Sequence, residues 1–289
     1  MGVVLVTGCS SGIGLESALA FAREGDTTVA TMRNLAKADR LRRRAADEGL
    51  KVHIEQLDVC DEASVDATIA ALIRAHGRVD VLVNNAGVSS SGPIETQSLD
   101  VAARLMDTNF WGPMRTVRAV LPGMRQQGSG VIINVSSLAS RLPATVYSGM
   151  YAASKQALNA LSEALAGEVA PFGIRVVLIE PGFFSTEIVA NNLSRDEPLS
   201  DVYRADQEWI RSFMEGSADA GADADVVATA IVDAARNPAT KLHMPVGDDA
   251  ATYLGLLSQV DGYEGWMEAV IPIVEATVGP RPAIEERQP

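Results

Sequence analysis

Two tyrosines and a lysine, each four residues from the next, lie in the stretch that runs from Tyr147 to Leu158. They are Tyr147, Tyr151 and Lys155. If the stretch is helical, side chains at i and i+4 share one face. A neighbouring cation lowers the pKa of a tyrosine from about 10, and this suits general acid–base catalysis. The spacing therefore predicts that Tyr151, with Lys155 at i+4, exchanges a proton with a substrate. Tyr147 is left open, between lining a substrate pocket and packing in a loop.

Apolar, β-branched runs alternate with segments of helical period along most of the chain. The predicted strands are Val3–Thr7, Thr28–Met32, Lys51–Leu57, Val79–Val83, Gly130–Val135, Ile174–Ile179 and Lys241–Val246. The predicted helices are Gly12–Glu24, Leu35–Glu48, Glu62–His76, Ser98–Gln126, Met150–Pro171 and Asp223–Arg236. Nearly all-apolar strands are typical of a parallel sheet that is covered on both faces. The alternation predicts an α/β protein with a Rossmann-type doubly wound parallel sheet in three α/β/α layers.

No Pro/Gly/Ser-rich linker interrupts this alternation, which favours a single domain over residues 1–247. The pattern changes after Pro181, where aromatic residues stand among many charges. We expect residues 183–223 to form a helical substrate lid within that domain. Residues 248–289 are predicted as a C-terminal helical tail with two amphipathic pieces and a frayed, Pro-rich end.

A glycine-rich turn, TGCSSGIG from Thr7 to Gly14, follows the first predicted strand and opens the first predicted helix. Ligands of open α/β sheets bind beyond the carboxyl ends of the strands. Glycines let the backbone approach a pyrophosphate, and the helix N-terminus offers it free N–H groups. The turn therefore favours a dinucleotide site, although its G-x-x-x-G-x-G spacing also fits a plain strand-to-helix turn.

The end of the second predicted strand bears on the choice of nucleotide. A carboxylate there would accept the ribose 2′-OH of NAD, whereas an arginine suits a 2′-phosphate. The strand ends in Thr31, Met32 and Arg33, with no acid at its tip. Arg33 can donate charge-assisted hydrogen bonds to phosphate, and Ser11 could add a hydroxyl. These residues favour NADP(H) over NAD(H); the alternative for Arg33 is a surface arginine.

With NNAG at Asn84–Gly87 and YAASK at Tyr151–Lys155, the sequence resembles the short-chain dehydrogenase/reductase family in its single-domain form. The resemblance covers roughly residues 2 to 187. Within the family, the segments VATMR, VSSLASRLP and IEPG look like those of NADP-preferring hydroxysteroid and retinol dehydrogenases.

The resemblance implies roles for individual residues. Tyr151 matches the catalytic acid/base, Lys155 its partner, and Ser137 the serine that holds the substrate oxygen. Asn109 matches an asparagine that would bind a water linking Lys155 to solvent. The predicted cofactor-binding residues combine the glycine turn, Arg33 and further positions that match the family: Gly8, Ser10, Ser11, Gly12, Ile13, Gly14, Arg33, Asp58, Val59, Asn85, Ala86, Gly87, Tyr151, Lys155, Pro181, Gly182 and Thr186.

The spacing from Ser137 to Tyr151 departs from the family pattern. It is 14 positions, about one more than is usual in the family. We expect the extra residue to bulge within Leu142–Gly149. Ser136 is a competing choice for the serine, but it would lengthen the spacing further.

The excursion after Pro181 supplies apolar side chains for a substrate pocket. The predicted pocket residues are Tyr147, Phe183, Phe184, Trp209 and Phe213, with Ile188, Val189, Leu193 and Met214 as further apolar surface. An apolar pocket favours a bulky hydrophobic substrate. The alternative is that these residues only pack the lid onto the sheet. Trp266 and Met267 of the tail either cover the pocket or form a subunit contact.

The predicted function is an NADP(H)-dependent oxidoreductase that interconverts a ketone or aldehyde and an alcohol, with a steroid-, retinoid- or aryl-ketone-like substrate. One alternative is a reductase of 3-oxoacyl thioesters or small polar ketones. A second is a non-catalytic NADP(H)-sensing protein, against which the intact Ser-Tyr-Lys-Asn set argues. A third, a methyltransferase on a similar sheet, would leave YAASK and NNAG unexplained.

The composition argues against several classes of partner. The formal net charge of −13 argues against nucleic acid, whose phosphates attract clustered Lys and Arg. The two cysteines and three histidines show no metal-ligand spacing, so no metal is expected. No signal peptide and no apolar run of about 20 residues is visible, which favours a cytoplasmic location and no membrane span. The family resemblance implies a homodimer or homotetramer.

Overall fold

A computed structural model describes residues 1–188, 192–194 and 202–283. The strands are β1 Val3–Val6, β2 Thr27–Met32, β3 Val52–Gln56, β4 Val81–Asn84, β5 Gly130–Val135, β6 Ile174–Pro181, β7 Phe184–Ser185, β8 Ala222–Asp223 and β9 His243–Val246. The helices are α1 Gly12–Arg23, α2 Asp39–Asp47, α3 Glu62–His76, α4 Leu99–Met106, α5 Gly112–Gln127, α6 Gly149–Val169, α7 Arg204–Asp219, α8 Ala224–Arg236, α9 Asp248–Leu257 and α10 Gly262–Val278. Val189 of the predicted pocket surface and the Pro-rich end predicted as frayed, residues 284–289, lie outside the described residues.

Seven strands form one parallel sheet in the order β3-β2-β1-β4-β5-β6-β9. Each of the seven predicted strands is present, and the predicted Rossmann-type doubly wound sheet is confirmed. The chain leaves β1 toward β2 and β3 on one side and returns to β4 on the other. In open α/β sheets this reversal of direction marks the ligand-binding crevice, at the carboxyl ends of the strands.

Both faces of the sheet are covered by apolar helix surfaces, as near-continuous apolar strands require. On one face the core includes Leu15 and Phe21 of α1 and Ile231 of α8. On the other it includes Ile69 of α3 and Leu165 of α6. The sheet is therefore buried on both faces, and the loops at the carboxyl ends of its strands are where a ligand can approach.

The segment predicted as one helix over Ser98–Gln126 is interrupted by a π-helical turn, Asp107–Trp111. Pro113 has no N–H, so it cannot make the i→i−4 bond to the carbonyl of Asn109. The chain accommodates the proline by widening the helix, and Gly112 N–H donates to the carbonyl of Asp107 five residues earlier. This turn carries Asn109, which is buried.

The excursion after β6 and the tail form one apolar cluster. Strand β7 pairs with β8, so the two ends of the excursion are joined beside the sheet. Between them lies α7, whose Trp209 and Phe213 pack against Val274 of α10. Of the helices described, none has the length and apolar character needed to cross a membrane.

Candidate active site

Helix α6 places Tyr151 and Lys155 one turn apart at the edge of a cavity. Lys155 is buried, and its Nζ donates to the carbonyl of Val135 at the end of β5, at 3.0 Å. Nζ lies 5.9 Å from the centroid of the Tyr151 ring. Burial disfavours the ammonium and lowers the pKa of Lys155 to about 8.

Burial of the phenol raises the pKa of Tyr151, and a hydrogen bond with the Ser137 hydroxyl opposes the rise. The expected fall in this pKa is therefore wrong for the chain alone, because desolvation of the phenol is the largest cause. At neutral pH the phenol is protonated and is a hydrogen-bond donor.

Tyr147 does not share a helix face with Tyr151, because α6 begins only at Gly149. Its φ of +62° is in the left-handed region, within the segment where the extra residue is expected. Its carbonyl accepts a hydrogen bond from Gly92 N–H at 2.8 Å. Its hydroxyl donates to Asp206 Oδ2 of α7 at 3.1 Å. Tyr147 is thus a wall residue that is bonded to the lid.

The two adjacent serines after β5 point to different partners. Ser137 opens a short 3₁₀ turn, Leu138–Ser140, and is the hydrogen-bond partner of Tyr151. Ser136 is buried and donates to Asn159 Oδ1 at 2.6 Å. Of the two candidates, Ser137 lies beside the phenol.

Asn109 secures the loop after β4 rather than reaching into the cavity. Its Oδ1 accepts from Val88 N–H at 2.9 Å, and its Nδ2 donates to Val88 O at 2.9 Å and to Ser154 Oγ at 3.0 Å. Both amide hydrogens are therefore engaged. A water at this side chain could bond only to the second lone pair of Oδ1.

The glycine turn makes a close-packed cradle with the strand-end motif after β4. A Cβ on Gly8 would lie 2.7 Å from Cα of Ala86, and Gly8 has a φ of +74°, so only glycine fits there. The Asn85 amide donates to the carbonyls of Thr7 at 2.9 Å and Gly8 at 3.2 Å. Ser11, the N-cap of α1, makes no side-chain bond to the helix. The N-terminal N–H groups of α1 and the Ser11 hydroxyl are thus available to an anion.

The remaining cofactor candidates lie along the same edge of the sheet. Arg33 directly follows β2 and is exposed, while Asp58 and Val59 follow β3. Within the described part of the chain Arg33 forms no ion pair. The nearby arginines 40, 42 and 44 are each paired with a carboxylate. Arg33 is therefore an unpaired, exposed cation at this edge among the described residues.

A cavity of about 460 Å³ opens beside Tyr151 and Ser137. Four of the five predicted pocket residues line it, together with cofactor candidates. These lining residues are Tyr147, Phe183, Phe184 and Phe213, with Ile13, Asn85, Gly87, Lys155, Pro181, Gly182 and Thr186. The fifth, Trp209, is a wrong prediction. It lies on the face of α7 that is turned to the tail, where its Nε1 donates to Gly279 O at 2.9 Å.

Sequence reasoning missed several parts of the cavity wall. Leu142 and Val146 come from the loop before α6, and Tyr253 and Val270 come from the tail. Trp266, left open between two roles, belongs to this wall. The amphipathic period of the tail was the available signal, but it does not say which surface the apolar face covers.

The sequence is similar to proteins of a known enzyme family. A family model described as short chain dehydrogenase matches residues 2–197. The chain belongs to the short-chain dehydrogenase family. Human retinol dehydrogenase 8 is 42% identical over 216 residues, which are 73% of this chain and 68% of that relative.

Solved structures of this dehydrogenase family share the fold. A short-chain dehydrogenase from Streptomyces avermitilis is 33% identical with a TM-score of 0.76, and the match covers 95% of this chain and 96% of that one. A metagenomic short-chain oxidoreductase in complex with NADP is 27% identical with a TM-score of 0.67, over 85% of this chain and 96% of that one. The chain is thus an oxidoreductase by family.

Proposed function

We propose that this dehydrogenase uses NADP(H) to interconvert a bulky apolar ketone or aldehyde and the corresponding alcohol, with Tyr151 as general acid and base. The observation that carries the proposal is the hydrogen-bonded pair of Ser137 and Tyr151 at the wall of a largely apolar cavity. A pair of hydroxyls at this position can bind one oxygen atom of a substrate from two sides.

The chain's own residues supply the proton chemistry. In the direction of reduction, Ser137 and Tyr151 donate hydrogen bonds to the carbonyl oxygen, and the phenol proton moves to that oxygen. The raised pKa of Tyr151 keeps this proton in place at neutral pH. The Lys155 ammonium beside the ring stabilises the phenolate that remains. A bound nicotinamide cofactor supplies the hydride.

The glycine cradle and Arg33 support the choice of cofactor. The cradle presents N–H groups of α1 and the Ser11 hydroxyl to a pyrophosphate. The exposed guanidinium of Arg33, at the end of β2, suits a 2′-phosphate. The metagenomic relative is in complex with NADP, which supports the same assignment.

The lining of the cavity supports an apolar substrate. Its volume of about 460 Å³, which it shares with the cofactor candidates, is within the usual range for small-molecule sites. Phe183, Ile210, Phe213 and Met214 contribute aromatic and aliphatic surface to its wall. Retinol dehydrogenase 8 is named for a long apolar alcohol, which agrees with this class.

The test is NADPH oxidation by the purified protein over a panel of ketones and aldehydes graded by size and polarity, with NADH as the cofactor control. Tyr151→Phe removes the proton donor, and Tyr263→Phe, at an exposed tyrosine, is the matched control. We expect turnover of bulky apolar carbonyls that disappears only in Tyr151→Phe. Preferential turnover of small polar ketones would refute the substrate class. A fully active Tyr151→Phe would refute the role of Tyr151.

A further inference from the structure

A buried carboxylate lies behind the Ser137 turn, apart from the proposed catalytic and cofactor-binding residues. Glu180, the penultimate residue of β6, has no exposed surface. Its carboxylate is bonded by side chains of three other segments of the chain. We call it, with its direct and second partners, the Glu180 cluster: Glu180, Ser136, Ser140, Arg141, Asn159 and His243.

The three direct partners come from separate parts of the site. Arg141 Nη1, after the Ser137 turn, donates to Oε2 at 3.0 Å. Asn159 Nδ2, on α6, donates to Oε1 at 2.8 Å, and His243 Nδ1, on β9, lies 2.8 Å from the same oxygen. Glu180 is buried whereas the Arg141 side chain is partly exposed, so the carboxylate is held in place by hydrogen bonds from three directions. The cluster therefore fixes the position of the Ser137 turn against α6.

The Asn159 side chain also bonds to two serines, one before and one after Ser137 in the sequence. Its Oδ1 accepts from Ser136 Oγ at 2.6 Å, and its Nδ2 also donates to Ser140 Oγ at 2.9 Å. Ser140 Oγ in turn donates to the carbonyl of Ser137 at 2.5 Å. Ser137 is thus bracketed by two serines that bond to a single amide, and Glu180 orients that amide.

We propose that Asn159, oriented by Glu180, is a positioning residue that fixes the Ser137 hydroxyl against Tyr151. This inference rests on the proposed function. Tyr151 and Asn159 are eight residues apart on α6, roughly 12 Å along a helix axis. One rigid helix therefore carries the acid and also holds the turn that bears its hydrogen-bond partner.

The perturbation is Asn159→Ala, which releases Ser136 and Ser140 together. A displacement of about 1 Å at a reacting group can cost on the order of 100-fold in rate. We expect kcat to fall by about 10- to 100-fold, with NADPH affinity changed less than about twofold. Glu180→Gln, which removes the charge that orients the amide, is expected to act in the same direction with a smaller loss.

Asn134→Ala is the matched control for lost stability. Asn134 is equally buried, donates to Ser162 Oγ of α6 at 2.8 Å and accepts from Asn84 Nδ2 at 2.9 Å. It thus loses comparable bonds to the same helix without touching the Ser137 turn. We expect a similar fall in melting temperature from both variants and a large fall in kcat from Asn159→Ala only.

A double-mutant cycle with Ser137→Ala separates positioning from general damage. If Asn159 acts through Ser137, then Asn159→Ala costs no further kcat in the Ser137→Ala background. A loss that is the same in both backgrounds would overturn the inference, as would an equal loss from Asn134→Ala.

The pKa of Tyr151 is a second measure of the position of Ser137, and it requires no turnover of a ketone. The Ser137 hydrogen bond lowers the pKa of Tyr151, so its loss must raise that pKa. The signal of the tyrosine ζ carbon in ¹³C-labelled protein, assigned with Tyr151→Phe, follows this titration by NMR. We expect Asn159→Ala and Ser137→Ala to shift the midpoint upward alike. An unshifted midpoint in Asn159→Ala would refute the positioning role, whereas absent turnover with the expected shift would refute only the proposed function.

Discussion

Replacing Lys155 by methionine should stabilise the cofactor-free protein while impairing its chemistry. The Lys155 ammonium is buried, and among the described residues its nearest polar contact is one carbonyl, that of Val135. An ammonium in such a site is disfavoured relative to water. Methionine has a similar length and carries no charge, so it removes this penalty.

The size of the effect follows from the pKa of Lys155, which falls from 10.5 to about 8 on folding. At about 1.4 kcal/mol per pH unit, this difference corresponds to a penalty of about 3.4 kcal/mol at pH 7. Loss of the hydrogen bond to Val135 offsets roughly 1 kcal/mol of that gain. We expect Lys155→Met to be more stable than the wild type by about 2.4 kcal/mol at pH 7.

The pH dependence is the decisive part of this prediction. Between the folded pKa near 8 and the unfolded value of 10.5, the unfolded state binds more protons, so wild-type stability rises with pH. The penalty is complete below about pH 8 and falls to about 0.8 kcal/mol at pH 10. The advantage of Lys155→Met should therefore shrink by about 2.5 kcal/mol between pH 7 and pH 10.

Paired urea denaturation curves of both proteins at pH 7 and pH 10 measure this difference, and other titrating groups cancel between them. Lys51→Met, at an exposed lysine, is the control and should show no such pH-dependent gain. A Lys155→Met protein that is no more stable than wild type at pH 7, or whose advantage is the same at both pH values, would refute the reasoning.

Three further predictions concern the cofactor, the tail and the cavity. Arg33→Ala should weaken NADPH binding by about 10- to 100-fold and leave NADH binding unchanged, because one charge-assisted contact to phosphate is lost; fluorescence titration with both cofactors measures this. Arg281 Nη2 donates to buried Asp206 Oδ2 at 3.0 Å, and the Tyr147 hydroxyl of the cavity wall donates to the same oxygen. Arg281→Gln should therefore lower the melting temperature and raise KM for bulky ketones. An unchanged KM would show that this tail contact does not affect the cavity. Phe213→Ala should cost about 3–5 kcal/mol in urea denaturation and lower kcat/KM for apolar ketones more than for small polar ones.

Much of the sheet could be predicted because its strands are short apolar runs between helices of clear period. The predicted Thr28–Met32 and Gly130–Val135 correspond to β2 and β5 within one residue. The π-helical turn at Asp107–Trp111 was not predicted, because one extra residue in a turn barely alters a helical period. Pro113 was the signal that could have revealed it, since its missing N–H leaves the carbonyl of Asn109 without an α-helical partner.

The candidate site was less predictable where burial or distant packing decides the outcome. The spacing of Tyr151 and Lys155 gives their proximity, but not the desolvation that raises one pKa and lowers the other. The aromatic residues after Pro181 indicated an apolar wall, yet of two residues on the same face of α7 Phe213 lines the cavity, whereas Trp209 is covered by the tail. Which residues of one helix face a distant segment covers is a tertiary property that a local pattern does not contain.

Helix α6 joins the predicted and unpredicted parts of the site, because Tyr151, Lys155 and Asn159 follow one another at intervals of four residues on one face. Each contacts the end of β5 or the turn after it: Tyr151 through Ser137, Lys155 through Val135, and Asn159 through Ser136 and Ser140. The end of β5, with the turn after it, is thus linked to α6 by three sets of contacts, and movement of α6 would disturb all three together. A single substitution on this face removes one side chain and can also shift α6. The two effects on kcat are separated only by a double-mutant cycle with the partner residue in the turn.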